Sequence, residues 1–198
     1  WSVRASSSPD PCPGRQGPGG RTFLASPLTA AAAALDPYQE GMRPMAYHVY
    51  VSNAGSEWFS RFVFEEATGE LAPAPDAALP GTPGAVATSA AGAVMFVSLR
   101  SLRRFGSFAV DRLSGALAPI GTVPLEDGAP YVAVDRSGRF LLAAYYGSGH
   151  VSVHAIGPDG ALSAQPLQWV ATAPHAHSVQ TDRANRFAFV PHTNPTNA

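Results

Sequence analysis

Hydrophobic positions along this chain occur in short runs, and turn residues rich in glycine separate each run from the next. In the run HVSVHAI at residues 150–156, apolar and polar side chains alternate with the period of two that a strand requires. Sustained 3.6-residue periodicity, the mark of an amphipathic helix, is absent from the sequence. The chain also contains 19 glycines and 19 prolines, which favour tight turns over helices. The pattern predicts an all-β fold built from many short strands.

The same succession of turns and strands returns about every 46 residues. The turn TGELAP at residues 68–73 is followed by SGALAP at 114–119 and DGALSA at 159–164. A second series of turns reads TSAAG, VDRSG and TDRAN, beginning at residues 88, 134 and 181. The apolar runs repeat with steps of 46, 46 and 47 residues, at Tyr50, Phe96, Leu142 and Phe189. Three anchors that agree on one register indicate an internal repeat.

A repeat of this length is typical of a β-propeller, in which every blade is a four-stranded antiparallel sheet. Residues 131–171 contain the four predicted strands of one blade, in the runs YVAVD, RFLLAAY, HVSVHAI and QPLQWVA. The chain holds about three blades and the start of a fourth. Because a propeller protects its sheet edges by closing into a ring, we expect the natural protein to continue for several more blades.

The first 44 residues differ in composition from the rest of the chain. They contain the Pro- and Gly-rich stretch SSSPDPCPGRQGPGG, whereas Met45 opens directly onto the strand-like run AYHVYVSN. We therefore predict a low-complexity, disordered leader at residues 1–44 and a partial propeller domain at residues 45–198. A short Ala-rich apolar stretch at residues 24–35, preceded by arginines, leaves an export or transit signal open as an alternative for the leader.

Composition and charge exclude several classes of function. The net charge of −1 provides no basic surface for nucleic acid, and no apolar run is long enough to cross a membrane. The single cysteine, Cys12, permits neither an internal disulfide nor a cysteine-rich zinc site, and fits a reducing compartment. The pair His175 and His177 has no third ligand at a spacing diagnostic of a metal site. We expect a cytoplasmic protein without a metal or other cofactor.

Three stretches of sequence carry a resemblance to a known family. They are the TG-x-L turns, YYGSGHVSV at residues 145–153 and, above all, PHAHSVQTDRANRFAFVPHTNP at residues 174–195. Together they resemble the lactonase-type seven-bladed β-propellers, the family of the bacterial 6-phosphogluconolactonases. The resemblance implies hydrolysis of a sugar lactone in carbohydrate metabolism, with 6-phosphogluconolactone of the pentose phosphate pathway as the expected substrate.

The sequence also departs from the family pattern. Many members carry an acidic residue and then Asp-Arg after the Val-Pro of the fourth-blade strand, where this chain has His192, Thr193 and Asn194. The Glu and Arg residues that the family uses on later blades lie beyond Ala198. We therefore expect these 198 residues to be inactive by themselves.

The repeat also indicates where chemistry could occur. The start of the first strand of a blade and the end of its second strand meet at one mouth of the channel. His177 stands where the sister blades have Pro130 and Gly84, and the resemblance places the motif histidine of the family there. An imidazole exchanges protons near neutral pH, so His177 is the candidate general base, with a histidine held in a turn as the structural alternative.

Four further residues are candidates for contacting the substrate. His175 lies two residues before His177, while Tyr145 and His192 occupy equivalent positions just past the second strand of their blades. Arg100 belongs to the only dense basic group, together with Arg103 and Arg104, for which solvated loop positions are the preferred interpretation. The planar donors of arginine suit the phosphate of a phosphosugar lactone.

Two alternatives to lactone hydrolysis remain open. The first is a lactonising enzyme similar to a carboxymuconate cyclase, which would run the related chemistry in reverse. The second is a non-catalytic propeller that binds proteins or sugars through its rim, because one fold serves many functions. A Glu and an Arg facing the same channel mouth on later blades would favour an enzyme.

Overall fold

The computed structural model of the protein describes residues 47–126 and 128–193. These residues form strands and turns, so none of them belongs to a helix that could cross a membrane. The strands are β1 (Tyr47–Ser52), β2 (Trp58–Glu65), β3 (Glu70–Ala78), β4 (Pro83–Thr88), β5 (Val94–Leu99), β6 (Arg104–Val110), β7 (Leu117–Pro124), β8 (Tyr131–Val134), β9 (Phe140–Tyr145), β10 (His150–Ala155), β11 (Gln168–Ala171), β12 (Gln180–Thr181) and β13 (Ala188–Phe189). The all-β prediction is confirmed. The leader predicted for residues 1–44 lies outside the described residues.

The described strands form open antiparallel sheets that correspond to successive blades. Their strand orders are β1-β2-β3, β4-β5-β6-β7, β8-β9-β10-β11 and β12-β13. The blade predicted from residues 131–171 is therefore present with its four strands in chain order, β8 to β11. The partial propeller is confirmed as well, since the sheets follow one another without closing into a ring.

The repeat register agrees with the strand assignment. The apolar anchors fall in β1, β5, β9 and β13, each of which is the second strand of its blade. The first strands are β4, β8 and β12, and β4 and β8 lie next to each other in neighbouring sheets. The sheet of β1, β2 and β3 accordingly contains the last three strands of a blade.

Apolar side chains between neighbouring blades hold the sheets together. Phe96 and Phe105 of the second blade pack with Leu141 of the third in one buried cluster. Leu142, the repeat equivalent of Phe96, packs with Ala176 and Val179 of the fourth blade. Burying a side chain of this size contributes about 1.5–3 kcal/mol, so the same repeat position stabilises successive joints.

Each blade has two chemically different ends. We call the rim end the side on which the first strands begin and the second strands finish, as at Leu99 and Tyr145. We call the turn end the opposite side, where the first strand turns back into the second, as between Val134 and Phe140. The candidate site residues lie at the rim end.

Candidate functional site

In the fourth blade the two chain segments predicted to meet at the channel mouth do lie side by side. Ala176 and His192 form an isolated antiparallel bridge. The main-chain N–H of His177 donates to the carbonyl of Pro191 at 3.1 Å, and that of Thr193 donates to the carbonyl of His175 at 3.1 Å. This short ladder places the backbones of His175, His177 and His192 beside one another at the rim end.

Two of these histidines are held by hydrogen bonds from their rings. Nδ1 of His175 lies 3.1 Å from the carbonyl oxygen of Thr193, and Nδ1 of His192 lies 3.0 Å from that of Pro174. Because a carbonyl can only accept, Nδ1 carries the hydrogen in both rings and Nε2 remains the basic nitrogen of the neutral form. His175 also has a φ of 64°, a left-handed conformation that is uncommon for any residue except glycine.

His177 differs from both neighbours. Its side chain is exposed, and its imidazole forms no hydrogen bond within residues 47–126 and 128–193. Both ring nitrogens are therefore available to a water molecule or a substrate. An imidazole placed in this way can take a proton in a reaction, whereas one with both nitrogens bonded in a turn could not.

One aromatic ring from the third blade contacts two of the three histidines. Tyr146 follows β9 directly, stacks on His175 with ring centroids 4.6 Å apart and planes at 21°, and meets His177 at 5.8 Å and 89°. Its side chain is 38% exposed, so the ring also faces solvent at the rim. Tyr146 was not among the residues predicted from the sequence. Arg100, which occupies the equivalent position one repeat earlier, was among them. This equivalence is the signal by which Tyr146 could have been identified.

The placement of Tyr145 on the rim needs correction. Its side chain is 1% exposed, its hydroxyl lies 2.8 Å from Oγ of Ser152, and its ring packs against Trp169 at 4.6 Å. The repeat equivalent Leu99 is fully buried as well. Since successive side chains of a strand point to opposite faces, the last residue of β9 turns into the core and the next residue reaches the rim.

Arg100 occupies the rim end of the second blade. Its side chain is exposed and follows β5 directly. A Cβ atom on Gly84 would lie 2.9 Å from Cδ of Arg100 and 2.6 Å from Oγ of Ser98, so the aliphatic part of Arg100 rests against this glycine. No hydrogen bond or ring contact in the described part of the chain joins Arg100 to the three histidines. Arg100 belongs to the second blade, whereas the three histidines belong to the fourth.

The other two arginines of this group are committed to the blade itself. Arg103 donates from Nη2 to the carbonyl of Glu126, and Arg104 donates from Nε to Oγ1 of Thr122 at 2.8 Å. Both side chains therefore support the outer strand β7 and the segment that follows it. The expectation of a solvated loop position holds for Arg103, which is exposed in the turn before β6, and is wrong for Arg104, which is the half-buried first residue of β6.

The remaining histidines serve the blades. His150 stacks on Trp169 with centroids 5.0 Å apart, and the ring of His48 lies beneath Gly115. His154 is buried against Phe105 at 5.5 Å, and burial lowers its pKa below the ordinary value. Across the described residues, no group of three or more His, Cys, Asp or Glu side chains is placed to hold a metal ion.

Comparison with known proteins gives named relatives. The chain is 33% identical over 97 residues to a 6-phosphogluconolactonase of Xenorhabdus nematophila. This alignment covers 49% of the chain and 29% of that protein. The identity to a 6-phosphogluconolactonase of Yersinia pseudotuberculosis is 29% over 147 residues, covering 74% and 43% of the two chains. The chain therefore spans less than half the length of the curated relatives it matches.

Solved structures and the family profile agree with these relatives. The structure of a periplasmic gluconolactonase from Pseudomonas aeruginosa superimposes with a TM-score of 0.56 and 27% identity, over 63% of this chain and 37% of that one. The profile of the family described as "Lactonase, 7-bladed beta-propeller" matches residues 46–193, which is most of the chain. The chain belongs to the seven-bladed β-propeller lactonase family.

Proposed function

We propose that this chain contributes the general base of a sugar-lactone hydrolase that opens 6-phosphogluconolactone to 6-phosphogluconate. The observation that carries the proposal is the free, exposed imidazole of His177, at a rim position where the sister blades have Pro130 and Gly84. The name 6-phosphogluconolactonase, shared by relatives at about the 30% level of identity, supports the substrate. The enzyme would act in the cytoplasm, in the pentose phosphate pathway, and would need no cofactor, nucleic acid or membrane.

The reaction demands little covalent chemistry from the protein. A basic nitrogen of His177 takes a proton from water while the water oxygen attacks the lactone carbonyl carbon. The resulting oxyanion collapses, the ring C–O bond breaks, and the imidazolium returns the proton to the leaving alkoxide. The carboxylic acid product then loses its own proton to solvent. His175 and His192, each with Nε2 free, would contact the sugar hydroxyls at the same rim.

Arg100 is the proposed phosphate ligand. Its guanidinium is exposed and forms no hydrogen bond with the other described residues, so its planar donors are free for an anion. Its position on the second blade separates phosphate binding from proton transfer on the fourth.

A second substrate is supported by one comparison. The periplasmic protein of Pseudomonas aeruginosa is named a gluconolactonase, and its 27% identity favours an unphosphorylated lactone as the alternative. The ratio of kcat/KM for 6-phosphogluconolactone and gluconolactone, measured on the full-length protein, distinguishes the two. Lactonisation of an open-chain acid would instead favour the cyclase, and lactone binding without turnover the binding module.

The test of the general base uses two histidine variants of the full-length protein. His177→Gln should lower kcat by about a hundredfold to ten-thousandfold and leave the melting temperature unchanged. His150→Gln, which removes an imidazole stacked on Trp169 in an ordinary part of the third blade, is the matched control and should retain full turnover. Fresh lactone is required, with spontaneous hydrolysis subtracted. Full turnover by His177→Gln would remove the general base from the proposal, and unfolding would favour a structural histidine.

A further inference from the structure

The ring of Tyr146 joins the third blade to the candidate base on the fourth. It touches His175 face to face and His177 edge to face, with ring centroids 4.6 and 5.8 Å apart, respectively. No other aromatic or hydrogen-bonding contact to the imidazole of His177 occurs in residues 47–126 and 128–193. The orientation of this imidazole therefore depends on the tyrosine ring.

His175 restrains the tyrosine in turn. Its own ring is fixed by the hydrogen bond to Thr193 and by the left-handed backbone at φ 64°. Because the ring of Tyr146 stacks on this fixed imidazole, its rotation is restricted on that side. The result is a chain of contacts that runs from His175, through the ring of Tyr146, to the imidazole of His177, which has no hydrogen bond of its own with the described residues.

The repeat shows that the blade itself does not require a tyrosine here. The equivalent positions, at the same steps of 46 and 47 residues, are Arg100 in the second blade and Thr193 in the fourth. Three different side chains at one position of the fold indicate that none of them is needed for the strand to end. A residue that departs from the repeat at a functional rim has its explanation in the site.

We propose that Tyr146 is a positioning residue for His177, an inference that rests on the lactonase function proposed above. The edge-to-face contact sets the plane of the imidazole, so that one ring nitrogen is aimed at the attacking water. A misdirected base loses rate even when the substrate binds normally, because the reaction needs close alignment of the reacting atoms. The proposed role belongs to the ring of Tyr146 and not to its hydroxyl.

The test is a double-mutant cycle in the full-length protein, read as kcat and KM. Tyr146→Leu removes the ring and should lower kcat about tenfold with KM nearly unchanged. Tyr146→Phe keeps the ring and should retain kcat within about twofold. In the His177→Gln background, Tyr146→Leu should cause no further loss, since there is no base left to position. Trp58→Leu, which removes an aromatic ring of similar exposure (43%) from the first blade, serves as the control.

The outcomes separate the two proposals. An equal loss of rate from Tyr146→Leu with and without His177 would overturn the positioning role and indicate a direct contact with substrate. Full activity of Tyr146→Leu, while His177→Gln is inactive, would overturn it and leave the base intact. A fully active His177→Gln would instead remove the base.

A spectroscopic measurement covers the case in which a variant folds poorly. The ring current of Tyr146 should displace the Cε1 and Cδ2 proton resonances of His177, and Tyr146→Phe should preserve that displacement. If the His177 resonances of Tyr146→Phe match those of a free histidine, the contact does not exist in solution and the proposal is overturned.

Discussion

The two ends of the blades follow different rules. At the turn end, each of the described first-to-second-strand turns places a side-chain oxygen 2.9–3.1 Å from the main-chain N–H five residues further along the chain. The residues that supply this oxygen are Ser89, Asp135 and Asp182. Each turn also ends on a left-handed residue, with φ between 56° and 72°, at Gly92, Gly138 and Asn185. The fold repeats this local chemistry because every blade needs the same hairpin.

The rim end repeats the backbone but not the side chains. Near the start of the first strand the residue is Gly84 in the second blade, Pro130 in the third and His177 in the fourth, and directly after the second strand it is Arg100 and then Tyr146. The hairpins at the turn end do not require these residue types, although the fold leaves no room for a side chain at Gly84, where an added Cβ would lie 2.6 Å from Oγ of Ser98. If the proposed function is correct, residues for stability and residues for chemistry occupy opposite ends of one blade, so variants at each end should affect different measurements.

The largest expected effect on stability comes from Asp135→Ala. The carboxylate of Asp135 accepts hydrogen bonds from Ser137, Arg139 and Phe140 of its own turn and from Nδ2 of Asn185 at 2.7 Å. Leaving several of these donors unpaired in a buried site should lower the free energy of unfolding by about 2–4 kcal/mol. Chemical denaturation measures the loss, and kcat below the melting transition should not change.

A matched control for Asp135→Ala is available at another turn. Asp159→Ala removes a carboxylate with one main-chain hydrogen bond, to Ala161 at 3.0 Å, and should cost about 0.5–1.5 kcal/mol. If Asp135→Ala lowered kcat while leaving stability intact, the separation of the two ends would be wrong.

Gly115→Ala should produce the next largest loss. Gly115 has a φ of 68°, and an added Cβ would lie 2.6 Å from Nδ1 of His48 in the neighbouring blade. The left-handed backbone alone costs about 1–2 kcal/mol for a side chain, and the contact with the imidazole adds to that. Gly92→Ala has the same φ class, at 67°, and nothing within 4 Å of the new Cβ, so it reports the backbone cost alone.

The difference between these two glycine variants measures the joint between the first two blades. Adding His48→Ala to Gly115→Ala should recover the excess loss and no more. Equal losses for Gly115→Ala and Gly92→Ala would mean that the blades shift freely at this joint.

The blades and their turns could be predicted from the sequence, whereas most of the side-chain contacts at the rim end could not. The blades and turns could be read because their chemistry is local: a turn needs its oxygen and its left-handed residue within a few positions of each other. Tyr145 and Tyr146 could not be told apart, because a one-residue error in the strand end exchanges the core and the rim. The contact of Tyr146 with His177 joins segments 31 residues apart in different blades, and spacing alone does not reveal it.

Arg100→Gln should have a smaller effect, confined to one substrate. If the guanidinium binds phosphate, its loss should raise KM for 6-phosphogluconolactone about tenfold, which corresponds to about 1.4 kcal/mol. KM for gluconolactone and the melting temperature should stay the same, because Arg100 is exposed and bonded to no other described side chain. Parallel assays with the two lactones make the measurement. An equal effect on both substrates would place Arg100 near the sugar ring or the carbonyl instead.

The smallest effect separates two histidines by their dependence on pH. His154 is 2% exposed between the second and third blades, and burial lowers its pKa below the ordinary value of 6.5. The unfolded chain therefore takes up a proton before the folded one does. The contribution of neutral His154 to stability is fully present above about pH 6.5 and is lost as the pH falls through the lower pKa of the folded state.

The melting temperature should decline on acidification from pH 7 to 5, and His154→Gln should reduce that decline. His177→Gln should leave the decline as it is, since its ring is exposed and forms no hydrogen bond with the other described residues. A decline that persisted in full in His154→Gln would assign the acid sensitivity to another group.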